Sequence, residues 1–350
     1  MRNTLLLVAS LAVTVLCWGM YGPVLQWGQL GMRATAEDPI ARWRPFVCVG
    51  LAYFLIGVIV PSIWLYLRGE KGEWTIRGIA WSLAGGALGA IGALGIILAF
   101  TFGGRPIYVM PLVFGGAPVV NAFLTIYRAG RIREIGPWFL AGLIMAVLGA
   151  VVVLVTAPHA PPAAAAGGPS LESSLLDWCW RLLAVALAIV SWGSYGPVLH
   201  NGQAAMDHSR LRPLVCVGLA YFAIAVVVPS MILAEVPEAS VYRHFFSGTL
   251  PSLAAGAFGA VGALGVILAF KFGGRPVFVM PLIFGGAPVI NTFFAMSTQG
   301  LLGEMGAWFL AGLILVIAGS AIVLVLGPRG GGEGNAVVNG GSAVSVGESR

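Results

Sequence analysis

Charge is what this sequence lacks. Asp, Glu, Lys and Arg together make up 9% of its 350 residues, against roughly 25% in an average soluble chain. Hydrophobic residues reach 59%, and the mean hydropathy is +0.94. A soluble protein of this length needs a polar shell, which this composition does not supply. Disorder, a collagen-like chain and a secreted disulfide scaffold are excluded by the same numbers. Motifs of chemistry are missing too. There is no HExxH, no Walker loop, no GxSxG and no carboxylate pair inside an apolar run, so the chain does not read as an enzyme, and no cofactor or metal site is expected. The four cysteines, Cys17, Cys48, Cys179 and Cys216, form no CxxC. They lie in or beside apolar runs, where packing is their expected role. The class that remains is a polytopic membrane protein.

Apolar runs are what the sequence has in abundance. Ten uncharged stretches are each long enough to cross a hydrocarbon core: 3–32, 45–67, 78–104, 106–127, 135–158, 182–206, 213–234, 245–270, 276–303 and 305–328. A spanning helix needs about 20 such residues, whereas barrel strands run about ten with strict alternation. In lipid these continuous runs must be helices, because their backbone groups have no other partner. Met1-Arg2 followed by apolar residues could pass for a signal peptide. Residues 18–29 have a near-copy at 192–203, however, so the first span is expected to belong to the mature protein.

That near-copy is part of a chain-long duplication. Residues 82–121 and 252–291 are identical at 31 of 40 positions. Trp18 to Leu25 pairs with Trp192 to Leu199, Arg44 to Phe54 with Arg212 to Phe222, and Trp138 to Ile144 with Trp308 to Ile314. Each copy holds five spans. Five is odd, so the second copy enters the membrane upside down, a recurrent plan of secondary transporters. The expected fold is an all-α polytopic membrane protein, with ten transmembrane helices arranged as two inverted five-helix repeats. The first repeat covers 1–156, a Pro-, Ala- and Gly-rich flexible linker 157–174, the second repeat 175–328, and a disordered tail 329–350. On this layout 13 of the 19 Lys and Arg residues fall on the side of the N-terminus and 6 on the other. Positive residues concentrate on the cytoplasmic side, so both termini are expected there, in the inner (plasma) membrane. The basic balance therefore needs no nucleic acid to explain it.

Candidate site residues come from polar and aromatic side chains inside the spans. Trp18, Gly22, Leu25 and Gln29 share one helical face of the first span, and Trp192, Gly196, Leu199 and Gln203 repeat it in the sixth. Pro23 and Pro197 interrupt these helices, and a mid-helix proline frees the carbonyl four residues earlier. The fourth and ninth spans carry Pro111, Pro118 and Asn121, and Pro281, Pro288 and Asn291. The six prolines are the expected hinges. Gly85, Gly89, Gly92 and Gly95, with Gly256, Gly259, Gly262 and Gly265, read as packing positions. Arg44, Arg105, Arg212 and Arg275 each precede a proline at a span entrance and read as anchors. A substrate is not symmetric, so the copies should diverge where they read it. Met20 becomes Ser194, Gln26 becomes His200, Trp27 becomes Asn201, and Thr101 becomes Lys271. The expected substrate-binding set is Trp18, Tyr21, Gln29, Asn121, Trp192, Ser194, Tyr195, His200, Asn201, Gln203 and Asn291, with the sixth span doing more of the hydrogen bonding. No Asp or Glu lies within a run, which disfavours a carboxylate proton relay.

With the duplicated five-span unit in view, the chain resembles the drug/metabolite transporter (DMT) superfamily, EamA-like. The halves end in the manner of that family: a proline in the fourth span, a Glu before the fifth, then a glycine-spaced fifth span. Here these are Pro118, Glu134, Gly142 and Gly149, and again Pro288, Glu304, Gly312 and Gly319. Trp192-Gly193-Ser194 followed by Pro197 also resembles the opening of the glucose/ribose/rhamnose uptake branch, although the chain has His200 where that branch carries a basic residue. The resemblance implies a central cavity formed by the first four spans of each half. It places the fifth and tenth spans to the side, on a surface suited to a homodimer, and both termini in the cytoplasm. The function expected is a secondary transporter (permease) that moves a small polar metabolite, a sugar among the candidates, across the inner membrane by alternating access. The alternatives are a flippase for a lipid-linked substrate and a non-transporting scaffold or sensor. The expected partners are a small-molecule solute and the lipid bilayer.

Overall fold

A computed structural model describes residues 2–33, 40–128, 130, 132–158, 171–207, 209–235, 245–272 and 276–326. Among these, all regular structure is helical and no strand occurs. The first half holds α1 (Arg2–Gly31), α2 (Trp43–Arg68), α3 (Ile76–Thr101), α4 (Pro106–Arg128) and α5 (Pro137–Thr156). The second holds α6 (Leu171–Ala205), α7 (Leu211–Glu235), α8 (Leu250–Lys271, entered through a π-helical turn at Phe245–Thr249), α9 (Pro276–Thr298) and α10 (Ala307–Leu326). Eight helices among the described residues are long and apolar enough to cross a membrane, and Leu282–Thr298 and Ala307–Val323 are shorter apolar stretches. The chain is an all-helical protein of the polytopic membrane class. The linker expected at 157–174 lies mostly outside the described residues, except that α6 already begins at Leu171. The C-terminal tail lies outside them altogether.

Prolines shape α2 and α7 in the same way. Pro61 and Pro229 have no N–H to return to Gly57 and Ala225. The residue before each proline bonds five positions back instead of four: Val60 N–H to the Leu55 carbonyl, and Val228 N–H to the Ala223 carbonyl. The result is a π-helical stretch at Leu55–Ile59 and another at Phe222–Val227. Such stretches are rare and often sit beside functional positions. At its start α3 is capped by Thr75, whose Oγ1 accepts from Gly78 N–H at 3.0 Å and donates to the Ala205 carbonyl at 2.7 Å. One side chain thus starts α3 and ties it to the end of α6.

The halves interlock reciprocally. α1 packs on α8 as α6 packs on α3, α2 on α8 as α7 on α3, and α1 on α9 as α6 on α4. Each equivalence in the sequence is therefore matched by an equivalent contact. Glycine permits the closest of these approaches. A Cβ at Gly92 would stand 2.2 Å from Cδ1 of Trp192, and one at Gly262 would stand 2.2 Å from Cδ1 of Trp18. The fifth helix of each half also has its glycines buried in a contact within the chain. A Cβ at Gly319 of α10 would lie 2.4 Å from the Ala146 nitrogen of α5, and one at Gly149 of α5 would lie 2.5 Å from the Val316 nitrogen of α10. The outward face of α5 carries Leu140, Ile144, Val147, Leu148, Val151 and Val155, all exposed.

Gly92→Ala and Gly262→Ala should each displace an indole from its seat and cost about 1–3 kcal/mol, the usual range for overpacking a filled core. Thermal unfolding in detergent would check this. Gly303→Ala, where a Cβ would meet nothing within 4 Å, should unfold like the unmodified protein.

Candidate functional site

The centre of the bundle is aromatic, and its rings come in matched couples. Tyr53 of α2 and Tyr221 of α7 hold equivalent places in the two copies, just before the π-helical stretches. They stack on each other with ring centroids 3.7 Å apart and planes within 3°. Each ring edge rests on a glycine of a facing helix. A Cβ at Gly89 would come within 2.9 Å of Tyr221, and one at Gly259 within 2.8 Å of Tyr53. The same two glycines hold the indoles: Trp192 Nε1 donates to the Gly89 carbonyl at 3.1 Å, and Trp18 Nε1 to the Gly259 carbonyl at 3.2 Å. A Trp–Gly–Tyr relay thus occurs twice and meets itself at the tyrosine stack. Tyr21 lies edge-on to Trp192 with centroids 6.0 Å apart. Phe114 sits 6.2 Å from Trp192 and 6.3 Å from Phe284. Tyr195, half-buried, packs against the same core.

Asn291 and Tyr21 supply two of the buried polar atoms that lack a protein partner. Asn291 is fully buried, and its Nδ2 donates to the Pro106 carbonyl at 2.8 Å, while Oδ1 is unpaired. The Tyr21 hydroxyl, on a residue only 4% exposed, is also unpaired. Asn291 Oδ1 would lie 3.1 Å from a Cβ at Gly22, and Asn121 Nδ2 would lie 3.1 Å from one at Gly196. Each asparagine therefore abuts the Gly-Pro break in the first helix of the other half. Buried polar groups nearly always have partners, so unpaired atoms at the centre of the bundle stand out.

The remaining expected residues divide. Gln29 is buried, and its Nε2 donates to the Ala41 and Ile97 carbonyls at 2.9 and 3.2 Å. It ties α1 to α3 beyond the aromatic centre. Ser194 and Gln203 are half-buried, and His200 is exposed. Asn201, with its amide oxygen turned toward Arg128, accepts from both terminal guanidinium nitrogens at 3.0 and 3.1 Å. The polar residues that distinguish α6 at positions 200 and 201 therefore point away from the centre, while the Lys271 side chain lies outside the described residues. Pro23, Pro111, Pro118 and Pro288 are buried and Pro197 half-buried, inside helices that continue through them. Pro281 lies within α9, but its side chain is outside the described residues. Beside the Pro118 break, Ser320 Oγ of α10 donates to the Gly115 carbonyl at 2.9 Å.

Cross-half polar contacts close both ends of the bundle. Glu70, in the turn between α2 and α3, accepts from Ser209 Oγ at 2.7 Å, from Arg210 N–H at 3.2 Å and from Leu211 N–H at 3.1 Å. It caps the start of α7 from the other half. Arg212 returns a bond to the carbonyls of Glu70 and Lys71, both at 3.2 Å. At the far end of α3, Arg105 donates to Gln299 and, at 3.2 Å, to the Pro158 carbonyl. Burial pulls the Arg105 guanidinium below its ordinary pKa. Arg181 Nε donates to the Phe102 carbonyl at 2.8 Å. Tyr53, Tyr221 and Glu70 were not among the residues expected from the sequence. The two tyrosines could have been found as matched polar aromatics within the repeated Arg-Pro segment.

No protein-family model matches the sequence, and no functionally curated protein matches it. A solved crystal structure, described only as that of a protein, superposes on 91% of this chain and 99% of its own, with a TM-score of 0.52 and 16% identity. At that identity the likeness speaks to the fold alone. The helical arrangement has a counterpart over nearly its whole length.

Asn291→Ala should remove the side-chain bond that the Pro106 carbonyl accepts beside its own helical one and cost about 0.5–1.5 kcal/mol. Its neighbour Thr292, also fully buried, has an unpaired hydroxyl. Thr292→Val should therefore be neutral or slightly stabilising. Detergent melting curves of the two variants should move apart, and equal losses would contradict the assignment.

Proposed function

We propose that the chain is a secondary transporter of the drug/metabolite type, moving a small polar metabolite by alternating access through ten transmembrane helices built as two inverted repeats. The observation that carries this reading is the twofold Trp–Gly–Tyr relay, which joins the halves through equivalent residues at one central point. Two similar halves meeting at such a point can open to either side at similar energy, the physical basis of alternating access. The polar contacts support the same reading. One set, around Glu70, lies at one end of α3, and another, around Arg105, lies at the other. Each set joins the halves across a single surface. Cytoplasmic termini and an inner-membrane location complete the proposal, from the loop charges.

The test uses equivalent positions at opposite ends. In a background freed of the native cysteines, Gln29→Cys and Gln203→Cys report the two ends by labelling with a water-soluble maleimide. Glu70→Ala removes the cap on α7, an interaction worth about 0.5–2 kcal/mol. It should raise labelling at position 203 severalfold and lower it at position 29. Unchanged labelling, or a rise at both positions, would count against alternating access and favour a static scaffold.

A further inference from the structure

Arg68, the last residue of α2, folds back along its own helix. A long cation at the end of a spanning helix commonly reaches out to water. The Arg68 guanidinium instead follows the lean of helical side chains toward the N-terminus and stands 5.8 Å from the ring centre of Trp64, one turn earlier. There it forms one wall of a groove of about 350 Å³ whose other residues are Val60, Ile63, Trp64 and Leu67. All five are exposed. They belong to a helix long and apolar enough to cross a membrane, so the groove faces the bilayer. From Val60 to Arg68 it runs about 12 Å along the helix, most of the depth of one leaflet.

A guanidinium offers five N–H donors and keeps its charge. Among the described residues Arg68 has no hydrogen-bond acceptor and no carboxylate partner, only the Trp64 ring. The adjoining turn does not neutralise it. Of the two carboxylates between α2 and α3, Glu70 is committed to the start of α7. That leaves Glu73 against Arg68, Lys71 and Arg77, all exposed. A Cβ at Gly69 would meet nothing within 4 Å, so the space beside the helix end is open. Ionisable groups at membrane depth are nearly always paired. The partner that fits here has an apolar chain for the groove and an anionic head for the guanidinium, whose planar fork matches phosphate oxygens. A zwitterionic head would bring its own ammonium against the three cations. A head of net negative charge would not.

We propose that Val60, Ile63, Trp64, Leu67 and Arg68 form a binding site for an anionic phospholipid. An acyl chain lies in the groove and the phosphate on Arg68, with Lys71 adding to the attraction.

The experiment uses the full chain in detergent, stripped of lipid. Native mass spectrometry follows binding of dioleoyl phosphatidylglycerol and dioleoyl phosphatidylcholine, with inorganic phosphate as a competitor. The expected result is one phosphatidylglycerol held about fivefold more tightly than phosphatidylcholine, as one basic residue at an anionic headgroup implies, and not displaced by phosphate. Arg68→Gln should lose that factor and Arg68→Lys should keep most of it. Val60→Trp, which fills the groove without touching a charge, should weaken binding by a similar factor. Arg77→Gln, outside the groove, should bind like the unmodified protein. The three positions are exposed, so each variant should also melt like the unmodified protein. Equal affinity for the two lipids would overturn the anionic preference. Equal losses in Arg68→Gln and Arg77→Gln would replace the site by a diffuse basic belt. Displacement by inorganic phosphate would assign the guanidinium to a free anion, and full binding by Val60→Trp would overturn the groove.

Discussion

An indole N–H inside a membrane protein must find a protein acceptor, because hydrocarbon offers none. In this chain that acceptor is a backbone carbonyl on a helix of the other half, and the demand is met twice, by Trp192 on Gly89 and by Trp18 on Gly259. Helical carbonyls are normally shielded by side chains. These two are reachable because Gly92 and Gly262, one turn further on, have no Cβ to block the ring. The glycine spacing of α3 and α8 is thus set by the width of an indole. The same helices then bring Gly89 and Gly259 beneath Tyr221 and Tyr53. Remove the close approach and both the indole bonds and the tyrosine stack lose their support.

This arrangement makes the centre of the bundle rigid on its walls and adjustable at its axis. The tryptophans are pinned by hydrogen bonds across the halves. The tyrosines lean on glycine and on each other. They precede π-helical stretches that Pro61 and Pro229 impose on α2 and α7. A π stretch adds a residue to one turn and leaves the hydrogen-bond ladder with an alternative register, a suitable place for a helix to flex without losing its backbone bonds. The α5–α10 pair, locked by glycines set against backbone on both sides, has no such break.

The ends differ from each other although the centre is nearly symmetric. At one end a carboxylate, Glu70, caps a helix of the other half. At the opposite end the equivalent work falls to guanidinium groups and amides, through Arg105, Arg181 and Gln29. The two closures therefore differ in chemistry, a carboxylate on helix N–H groups at one end and guanidinium groups on carbonyl oxygens at the other, although both are charge-assisted. A molecule whose halves are copies can by this means still favour one of its two sides.

Much of this was legible in the sequence, for a definite reason. Long uncharged runs can only be helices in lipid, so the helical class followed from composition, and the duplication followed from the matched segments at 82–121 and 252–291. Trp18, Trp192, Tyr21 and Asn291 stood out because a polar group in an apolar run must have a partner. Which partner it has is a question of distance between helices far apart in the chain, and no local pattern encodes that. So His200 and Asn201, prominent as departures from the repeat, turn outward, while Tyr53 and Tyr221, unremarked within theirs, meet at the axis. The sequence by itself determined that the protein is a bundle of apolar helices built from two copies of one unit. Only the tertiary structure decided which copies of which residues touch, because the contact of a residue with its own counterpart is a property of how two halves dock.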